Sequence, residues 1–303
     1  FIFLYCGFGM RLIKDIHSDK EVLGKPTISF EFFPFKTPEG EVRFFEETLP
    51  SLMGSRPDYA SVTYGAGGST REKTFEIVAK IQGDFGLPTI AHLTCVKHTI
   101  EEINSILDDA KKLGVRNILA LRGDPPLGED WSMTDGGFEY ASDLVSYIKA
   151  QGDFGIAVAG FPEGHIDCKD GKKVDWQYLI KKIKCGADMV ITQMFFDNSD
   201  YFQLADFLKE AGVNIPLLPG IIPVDNTSQI KKFSAMCGAK LPKKFTTRLE
   251  ELGDDLDGVR EFGIEHATLQ CQELLDRGAP GLHFYTLNKS KAVSSVLSNL
   301  NLA

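Results

Sequence analysis

The sequence lacks the features that mark secreted, metal-stabilised or membrane-spanning proteins. Its six cysteines lie far apart, with no C-x-x-C pair and no His/Cys cluster at zinc spacing. This spacing argues against both a disulfide framework and a structural metal. No hydrophobic run reaches the length of a membrane span. Together these absences favour a cytoplasmic location and no membrane partner.

The chain also lacks a cluster of basic residues. It carries a net charge of −9 over 303 residues, and its lysines and arginines are scattered. This distribution argues against nucleic acid as a partner, so any anionic ligand must be held locally. The apolar start FIFLYCGFG is too short for a signal peptide and has no basic flank. Because Met10 opens an ordinary amphipathic stretch, we interpret residues 1–9 as an upstream or added extension.

Eight apolar segments with the character of β-strands recur along the chain. They begin at Thr27, Tyr59, Thr89, Asn117, Gly155, Met189, Pro216 and Gly281. Amphipathic helix patterns that end on glycine lie between them. Most starts are separated by roughly thirty residues, the length of one βα unit. The sequence therefore predicts an α/β protein with one domain over residues 1–303, a (β/α)8 barrel with extra helices between strands 7 and 8.

A glycine-rich turn follows the second strand segment, in YASVTYGAGGSTREKT from Tyr59 to Thr74. It has neither the lysine of a P-loop nor the last glycine of a dinucleotide fingerprint. Ser69 stands three residues before Glu72, which is the spacing of a helix capping box. We interpret the turn as a loop at the carboxyl end of a strand, where barrels of this class build their active sites.

Polar residues occupy the carboxyl ends of most predicted strands. They are Glu31, Thr63, Tyr64, His92, Thr94, Arg122, Asp124, Glu163, His165, Gln193, Tyr285 and Asn288. Each buried polar group needs a partner, so this number exceeds what packing alone would require. We therefore expect a ligand site at this end of the barrel.

Single residues of this set allow more than one interpretation. Glu31 lies in FEFFP, where partial desolvation should raise its pKa toward the range of a general acid, although pairing with a rim arginine is an equal alternative. Asp124 in LRGDPP, taken alone, is typical of a helix N-cap or a turn. His92 and His165, taken singly, are typical of core or rim histidines. Gln193 inside an apolar strand needs a polar partner, such as a heterocycle.

The chain resembles the methylenetetrahydrofolate reductases in motifs that follow the same order: FEFFP, VTYGAGG, HLTC, LRGDPP, AGFPEGH, ITQMFFD, PGIIP and HFYTLN. The likeness runs from about Ile28 to Asn288. It implies a barrel with bound FAD that takes a hydride from NADH or NADPH in a ping-pong relay. The hydride passes to methylenetetrahydrofolate and gives methyltetrahydrofolate, a step of one-carbon metabolism and methionine biosynthesis. The resemblance also implies a homo-oligomer.

The same resemblance assigns roles to individual residues. Glu31 matches the acid that protonates N10 of the folate so that its five-membered ring opens, and Asp124 matches an aspartate between flavin and pterin. The implied FAD contacts are Thr63, Tyr64, Ala66, His92, Arg122, Gly123, Asp124, Ala141, Phe161, His165, Asp175 and Lys182. Lys182 is the candidate partner of the pyrophosphate. The implied substrate contacts are Gln193, Gln229, Phe233 and Lys289. Lys289 stands where the family usually has arginine, which predicts weaker or shifted binding of the folate glutamate tail.

The chain ends soon after the eighth strand segment, so it resembles the short bacterial form, without the extension that binds S-adenosylmethionine in eukaryotic enzymes. Two alternatives stay open: a pterin-binding barrel methyltransferase that uses no flavin, and a non-catalytic barrel subunit of a redox complex. The fold alone does not separate them, because this barrel hosts many chemistries. The sequence also leaves open whether the electron donor is NADH, NADPH or a reduced protein.

Overall fold

The computed structural model describes residues 10–65, 71–125, 131–152 and 154–302, with the side chains of residues 71 and 72 excepted. Several sequence expectations fall outside these ranges. They are the extension at residues 1–9, the FAD contact Ala66 and the capping box of Ser69 and Glu72.

A parallel sheet forms the centre of the molecule. Its strands in the described residues are β1 (Thr27–Phe32), β2 (Tyr59–Val62), β3 (Thr89–Thr94), β4 (Asn117–Leu121), β5 (Gly155–Gly160), β6 (Met189–Thr192), β7 (Leu217–Leu218), β8 (Gly220–Ile221) and β9 (Gly281–Tyr285). They lie in the order β7-β6-β5-β4-β3-β2-β1-β9-β8. β7 pairs with β6 and β8 pairs with β9. These two short strands are halves of the seventh predicted strand, so the sheet closes and the predicted eight-stranded barrel is confirmed.

Pro219 separates the two halves of the seventh strand. Proline has no N–H to donate, and it therefore interrupts a ladder of hydrogen bonds. Its carbonyl accepts a hydrogen bond from the His283 backbone N–H at 3.0 Å, which ties the break to β9. On the other side, the Gly220 N–H donates to Thr192 Oγ1 at 2.9 Å. The break thus keeps the barrel closed by bonding to both neighbours.

Helices connect the strands and cover the outside of the barrel, and further helices lie in the connection between β8 and β9. They are α1 (Ile13–Val22), α2 (Pro38–Arg43), α3 (Leu49–Met53), α4 (Arg71–Phe85), α5 (Ile100–Lys112), α6 (Ala141–Ala150), α7 (Lys172–Lys184), α8 (Asn198–Glu210), α9 (Thr227–Cys237), α10 (Lys243–Leu252), α11 (Leu256–Asp276) and α12 (Lys291–Asn299). A wider helical turn over Phe44–Thr48 joins α2 to α3. Helices α9 to α11 are the predicted extra helices before the last strand. Within the described residues, no helix combines the length and the apolarity needed to cross a membrane.

Helix α1 closes the amino end of the barrel. Ile13 and Ile16 pack against inward-facing residues of the strands, including Tyr59 and Met189. Asn117 fixes the helix entry, since its Oδ1 accepts from the Ile13 N–H at 2.9 Å. Apolar side chains thus pack under α1 at this end of the barrel. The polar, partly exposed groups lie at the carboxyl end.

Candidate active site

Glu31 is buried at the carboxyl end of β1, with 6% of its surface exposed. Its Oε2 lies 3.4 Å from His92 Nε2 and 3.5 Å from His283 Nε2. The Ser61 hydroxyl donates to the same oxygen at 3.4 Å. The parallel pairing of β1 and β2 sets Glu31 opposite Ser61. The carboxylate therefore lies among two imidazoles and a hydroxyl, and the arginine partner allowed by the sequence is replaced by histidine.

The expectation that the pKa of Glu31 is raised is wrong for this structure. Burial, the largest single influence, does raise the pKa, but contacts and electrostatic interactions with His283 and His92 lower it below its usual range. The sequence argument considered Phe30 and Phe32, the neighbours along the strand. Their side chains alternate to the outer face, where Phe32 packs against Phe44 at 4.8 Å between ring centroids. Inside the barrel, Glu31 meets histidines from other strands.

His283 links Glu31 to Ser29, one layer deeper in the barrel. His283 Nδ1 lies 2.8 Å from Ser29 Oγ, and the Ser29 hydroxyl donates to the Leu282 carbonyl at 3.3 Å. With the hydroxyl proton committed to that carbonyl, Nδ1 must carry the proton shared with Ser29, and a neutral ring presents a bare Nε2 to Glu31. His283 Nε2 thus faces the Glu31 carboxylate at 3.5 Å, where a proton can pass between the two groups.

Sequence reasoning did not single out Ser29, Ser61 or His283 as part of the site. A signal for them existed in the alternation of the strands. Ser29 stands two residues before Glu31 in β1, so the period of two places both on the inner face. His283 is the one polar side chain in the run GLHF. A search for polar residues at alternate positions would have found them.

Arg122 and Gly123 form the turn after β4. The Arg122 guanidinium donates to Asp167 Oδ2 at 2.8 Å and lies over the Trp131 ring at 5.2 Å from its centroid. Gly123 has φ +84°, and a Cβ at this position would lie 2.7 Å from Val96 Cγ1. Only glycine fits this turn without strain, so the backbone can pass close to β3. The turn places an arginine and an indole at the rim.

The loop after β5 carries a pair of aromatic rings in contact. The rings of Phe161 and His165 meet edge to face, with centroids 4.5 Å apart. Burial lowers the pKa of His165, while nearby carboxylates that include Asp124 oppose this effect. Asp124 itself is exposed in the loop after β4. Its charge therefore acts across the rim on groups of the β5 loop.

Lys182 reaches from α7 to the end of β5. Its Nζ donates to the Ala159 carbonyl at 2.6 Å. Burial lowers the pKa of Lys182 to about 8, against the opposing charge of Asp175. Burial likewise raises the pKa of Asp175. A desolvated ammonium whose direct partner is a neutral carbonyl is a position that an anionic group would stabilise.

Three buried polar atoms of this region have no hydrogen-bond partner among the described residues: His92 Nε2, Thr94 Oγ1 and Trp131 Nε1. Although His92 Nε2 lies 3.4 Å from Glu31 Oε2, it is misaligned for a hydrogen bond. Buried polar atoms normally find partners. A polar ligand bound at this end of the barrel would supply hydrogen-bond partners for these three atoms.

The remaining predicted FAD contacts lie at the same end of the barrel. Thr63 directly follows β2, and its carbonyl accepts from Thr74 Oγ1 at 2.9 Å. The Tyr64 hydroxyl lies 3.0 Å from His98 Nε2. Ala141 is buried as the first residue of α6. The structure thus brings the described members of the set together at the carboxyl ends of β2, β3, β4 and β5.

The predicted substrate residues lie on the opposite part of the rim, in the segments that follow β6, β8 and β9. Gln193 directly follows β6, and its Oε1 accepts from the Met194 N–H at 2.8 Å. Gln229 lies in the first turn of α9, where its N–H donates to the N-cap Asn226 at 2.8 Å. Phe233, one turn further, packs at the edge of the apolar cluster under α9. Lys289 follows β9. Glu31 on β1 stands between the two sets.

Throughout the described part of the chain, no three His, Cys, Asp or Glu side chains are placed to hold a metal ion together.

Comparisons with known proteins agree with the motifs. A family model described as Methylenetetrahydrofolate reductase matches residues 15–301. The chain is 38% identical over 304 residues to methylenetetrahydrofolate reductase (NADH) 1 of Arabidopsis thaliana, which covers 97% of this chain and 51% of that protein. It is 36% identical over 282 residues to 5,10-methylenetetrahydrofolate reductase of Escherichia coli (strain K12), covering 93% of each. The chain thus spans about half the length of the plant relative.

A solved structure gives a further match. The protein is from Clostridium thermocellum and is described as uncharacterized and as binding two copies of 5-methyl-5,6,7,8-tetrahydrofolic acid. It superposes with a TM-score of 0.61 at 17% identity, over 93% of this chain and 96% of that chain. At this identity the match concerns the fold alone, and it agrees with the closed barrel described above.

Proposed function

This chain belongs to the methylenetetrahydrofolate reductase family, and from that premise we propose that it reduces 5,10-methylenetetrahydrofolate to 5-methyltetrahydrofolate. The proposal includes FAD as cofactor, NADH or NADPH as electron donor and a ping-pong order of the two half-reactions. It extends to a homo-oligomer, as the resemblance implies, and to a cytoplasmic location. The observation that carries it is the buried Glu31 carboxylate, whose Oε2 lies 3.5 Å from His283 Nε2 at the carboxyl end of the barrel.

A proton held between Glu31 and His283 would supply the acid step of this reaction. The five-membered ring of the substrate opens when N10 receives a proton and the bond from N10 to the methylene carbon breaks. Glu31 delivers the proton held between it and His283. The carboxylate that remains faces the His92 and His283 rings, which stabilise its negative charge. Ring opening leaves a cation on the folate, and the charge of Asp124 at the rim favours it.

The residues behind β2 to β5 fit a flavin nucleotide. Lys182 offers a desolvated ammonium for the pyrophosphate, and the unsatisfied Thr94 Oγ1 and Trp131 Nε1 offer polar contacts. Arg122 and Phe161 add flat surfaces at the rim. A bound flavin would supply the hydride relay between the nucleotide and the opened folate.

Gln193, Gln229 and Phe233 support a folate position beside this cofactor region. The Gln193 carboxamide is partly buried, and its Nε2 group remains to donate to a pterin while Oε1 bonds Met194. Phe233 offers an aromatic surface on α9 for the aminobenzoyl ring.

An anaerobic visible spectrum tests the proposal directly. The purified protein, supplied with FAD, is expected to show oxidised flavin that bleaches when methyltetrahydrofolate is added, because the folate half-reaction then runs backward. Bound flavin that does not bleach would contradict the folate assignment. Failure to take up FAD, with folate binding retained, would contradict the reductase and favour the flavin-free methyltransferase.

A further inference from the structure

Lys289 forms an ion pair with Asp225 at the mouth of the barrel, with 2.7 Å between Nζ and Oδ2. The turn that presents Lys289 is rigid. Leu287 and Asn288 both have positive φ, at 50° and 56°. The Asn288 side chain bonds the Phe33 N–H at 2.9 Å and the Phe33 carbonyl at 2.8 Å. The backbone before Lys289 is therefore fixed to the loop after β1.

Asp225 is also held in place. It directly precedes Asn226, whose Oδ1 caps α9 by accepting from the Gln229 N–H and the Ser228 hydroxyl, each at 2.8 Å. The amino end of a helix favours a negative charge. The Asp225 side chain is 19% exposed, whereas that of Lys289 is 56% exposed. The acid is thus the more enclosed partner of the pair, beside the helix that carries Gln229.

We propose that Asp225 competes with the carboxylates of the substrate's glutamate tail for Lys289. The inference rests on the proposed function, in which Lys289 meets that tail. Asp225 is attached to the same chain, so its effective concentration at Lys289 is high. The ion pair of Lys289 and Asp225 has no net charge, so it attracts an approaching carboxylate less than Lys289 alone would. The tail must displace Asp225 before it can bond the ammonium.

This competition sets how strongly the enzyme depends on the tail. An ion pair with one exposed partner is worth little, so the substrate can open it. Lysine offers a single point charge, and it cannot hold Asp225 and the tail with two parallel bonds as an arginine fork can. Asp225 therefore lowers the contribution of the glutamyl group to binding and leaves the contribution of the pterin unchanged.

Binding measurements on two ligands test this role. Isothermal titration calorimetry is carried out anaerobically on the FAD-loaded protein after its flavin has been reduced, so that no hydride transfer accompanies binding. The ligands are 5-methyltetrahydrofolate and its tail-less pteroate form. Asp225→Asn is expected to tighten methyltetrahydrofolate by about two- to fivefold and to leave the pteroate form unchanged. Lys289→Gln is expected to weaken methyltetrahydrofolate alone. In the double variant, the gain from Asp225→Asn becomes smaller because the competition for the ammonium is gone.

The matched control is Asp257→Asn, which removes another surface carboxylate from its pair with Arg260 on α11 and should change neither affinity. If the unaltered protein binds both ligands, three results would overturn this inference and leave the proposed function intact. They are no tightening by Asp225→Asn, equal tightening of the pteroate form, and an equal gain in the Lys289→Gln background. Absence of binding of both ligands by the unaltered protein would instead overturn the proposed function, and this inference with it.

Discussion

His283 Nε2 lies 3.5 Å from Glu31 Oε2 across the seam between β9 and β1, although the two residues are 252 positions apart in sequence. The register of this strand pair sets Ser29 opposite His283 and Glu31 opposite Tyr285. Both inward-facing rows thus meet where the first and last strands close the barrel. The acid of the proposed reaction belongs to a buried network that exists only in the closed fold.

Glu31→Gln is expected to separate the two half-reactions. Glutamine keeps the shape of the side chain but cannot deliver the proton that opens the folate ring. General acid catalysis of this kind is worth roughly 10²–10⁴-fold, so folate reduction should fall by about this factor. Reduction of the flavin by the nucleotide should continue. Anaerobic stopped-flow absorbance measures both steps, and equal loss or equal retention of the two would disprove the assignment of Glu31.

His283→Gln is expected to raise the pKa of Glu31. Burial raises the pKa of this carboxyl group, and His283 is the first of the two histidines that lower it. Without His283, burial prevails to a greater extent, so the pH midpoint of the folate half-reaction should move upward. The nucleotide half-reaction should keep its pH profile. His17→Gln is the matched control, because it removes a buried histidine at the other end of the barrel. An unmoved midpoint would exclude His283 from setting the state of Glu31.

The barrel itself could be predicted because each strand carries its own signal. Seven of the predicted strand starts, from Thr27 to Met189 and at Gly281, coincide with the first residues of observed strands. The exception is the segment at Pro216, which forms two short strands around Pro219. A hydrophobic pattern predicts that a strand exists, but it does not predict where proline interrupts the hydrogen-bond ladder.

The surroundings of Glu31 could not be predicted in the same way. The two histidines that lower its pKa come from β3 and β9, and their distances depend on the pairing register of the closed sheet. Strand ends and the resemblance point to Glu31 and His92 separately. The structure brings His92 Nε2 to 3.4 Å from Glu31, a contact that neither signal indicates. Local neighbours therefore predicted the wrong direction of the pKa shift.

Lys182→Met is expected to weaken FAD binding. The substitution keeps the length of the side chain and removes the ammonium that would balance the pyrophosphate. Charge-assisted hydrogen bonds of buried groups contribute about 1.5–3 kcal/mol, which corresponds to a rise of roughly 10- to 150-fold in the dissociation constant. Quenching of flavin fluorescence on titration measures it. Lys184→Met, an exposed change on the same helix, serves as the control. Equal FAD affinity of the two variants would contradict the pyrophosphate assignment.

Glu163→Ala is expected to loosen the end of α9. Both oxygens of Glu163 accept from the Lys240 N–H, at 3.1 and 3.0 Å, and so tie the segment after α9 to the loop after β5. Loss of this contact should speed amide hydrogen exchange over residues 238–242 and raise the KM for folate, because α9 carries Gln229 and Phe233. Glu163→Gln keeps an accepting oxygen and should stay close to the unaltered protein. Unchanged exchange in the alanine variant would show that the contact does not hold α9.

His17→Gln is expected to remove part of the pH dependence of folding stability. Burial lowers the pKa of His17 to about 4, whereas histidine in an unfolded chain titrates near 6.5. Between these values the unfolded chain binds a proton that the folded chain does not, so stability falls as the pH falls through this window. The shift corresponds to about 3 kcal/mol. Urea unfolding at pH 7 and pH 4 should therefore show the unaltered protein losing about 3 kcal/mol more than the variant. Parallel losses would mean that His17 is protonated in the folded state at pH 4, despite its burial on α1 beside Tyr59.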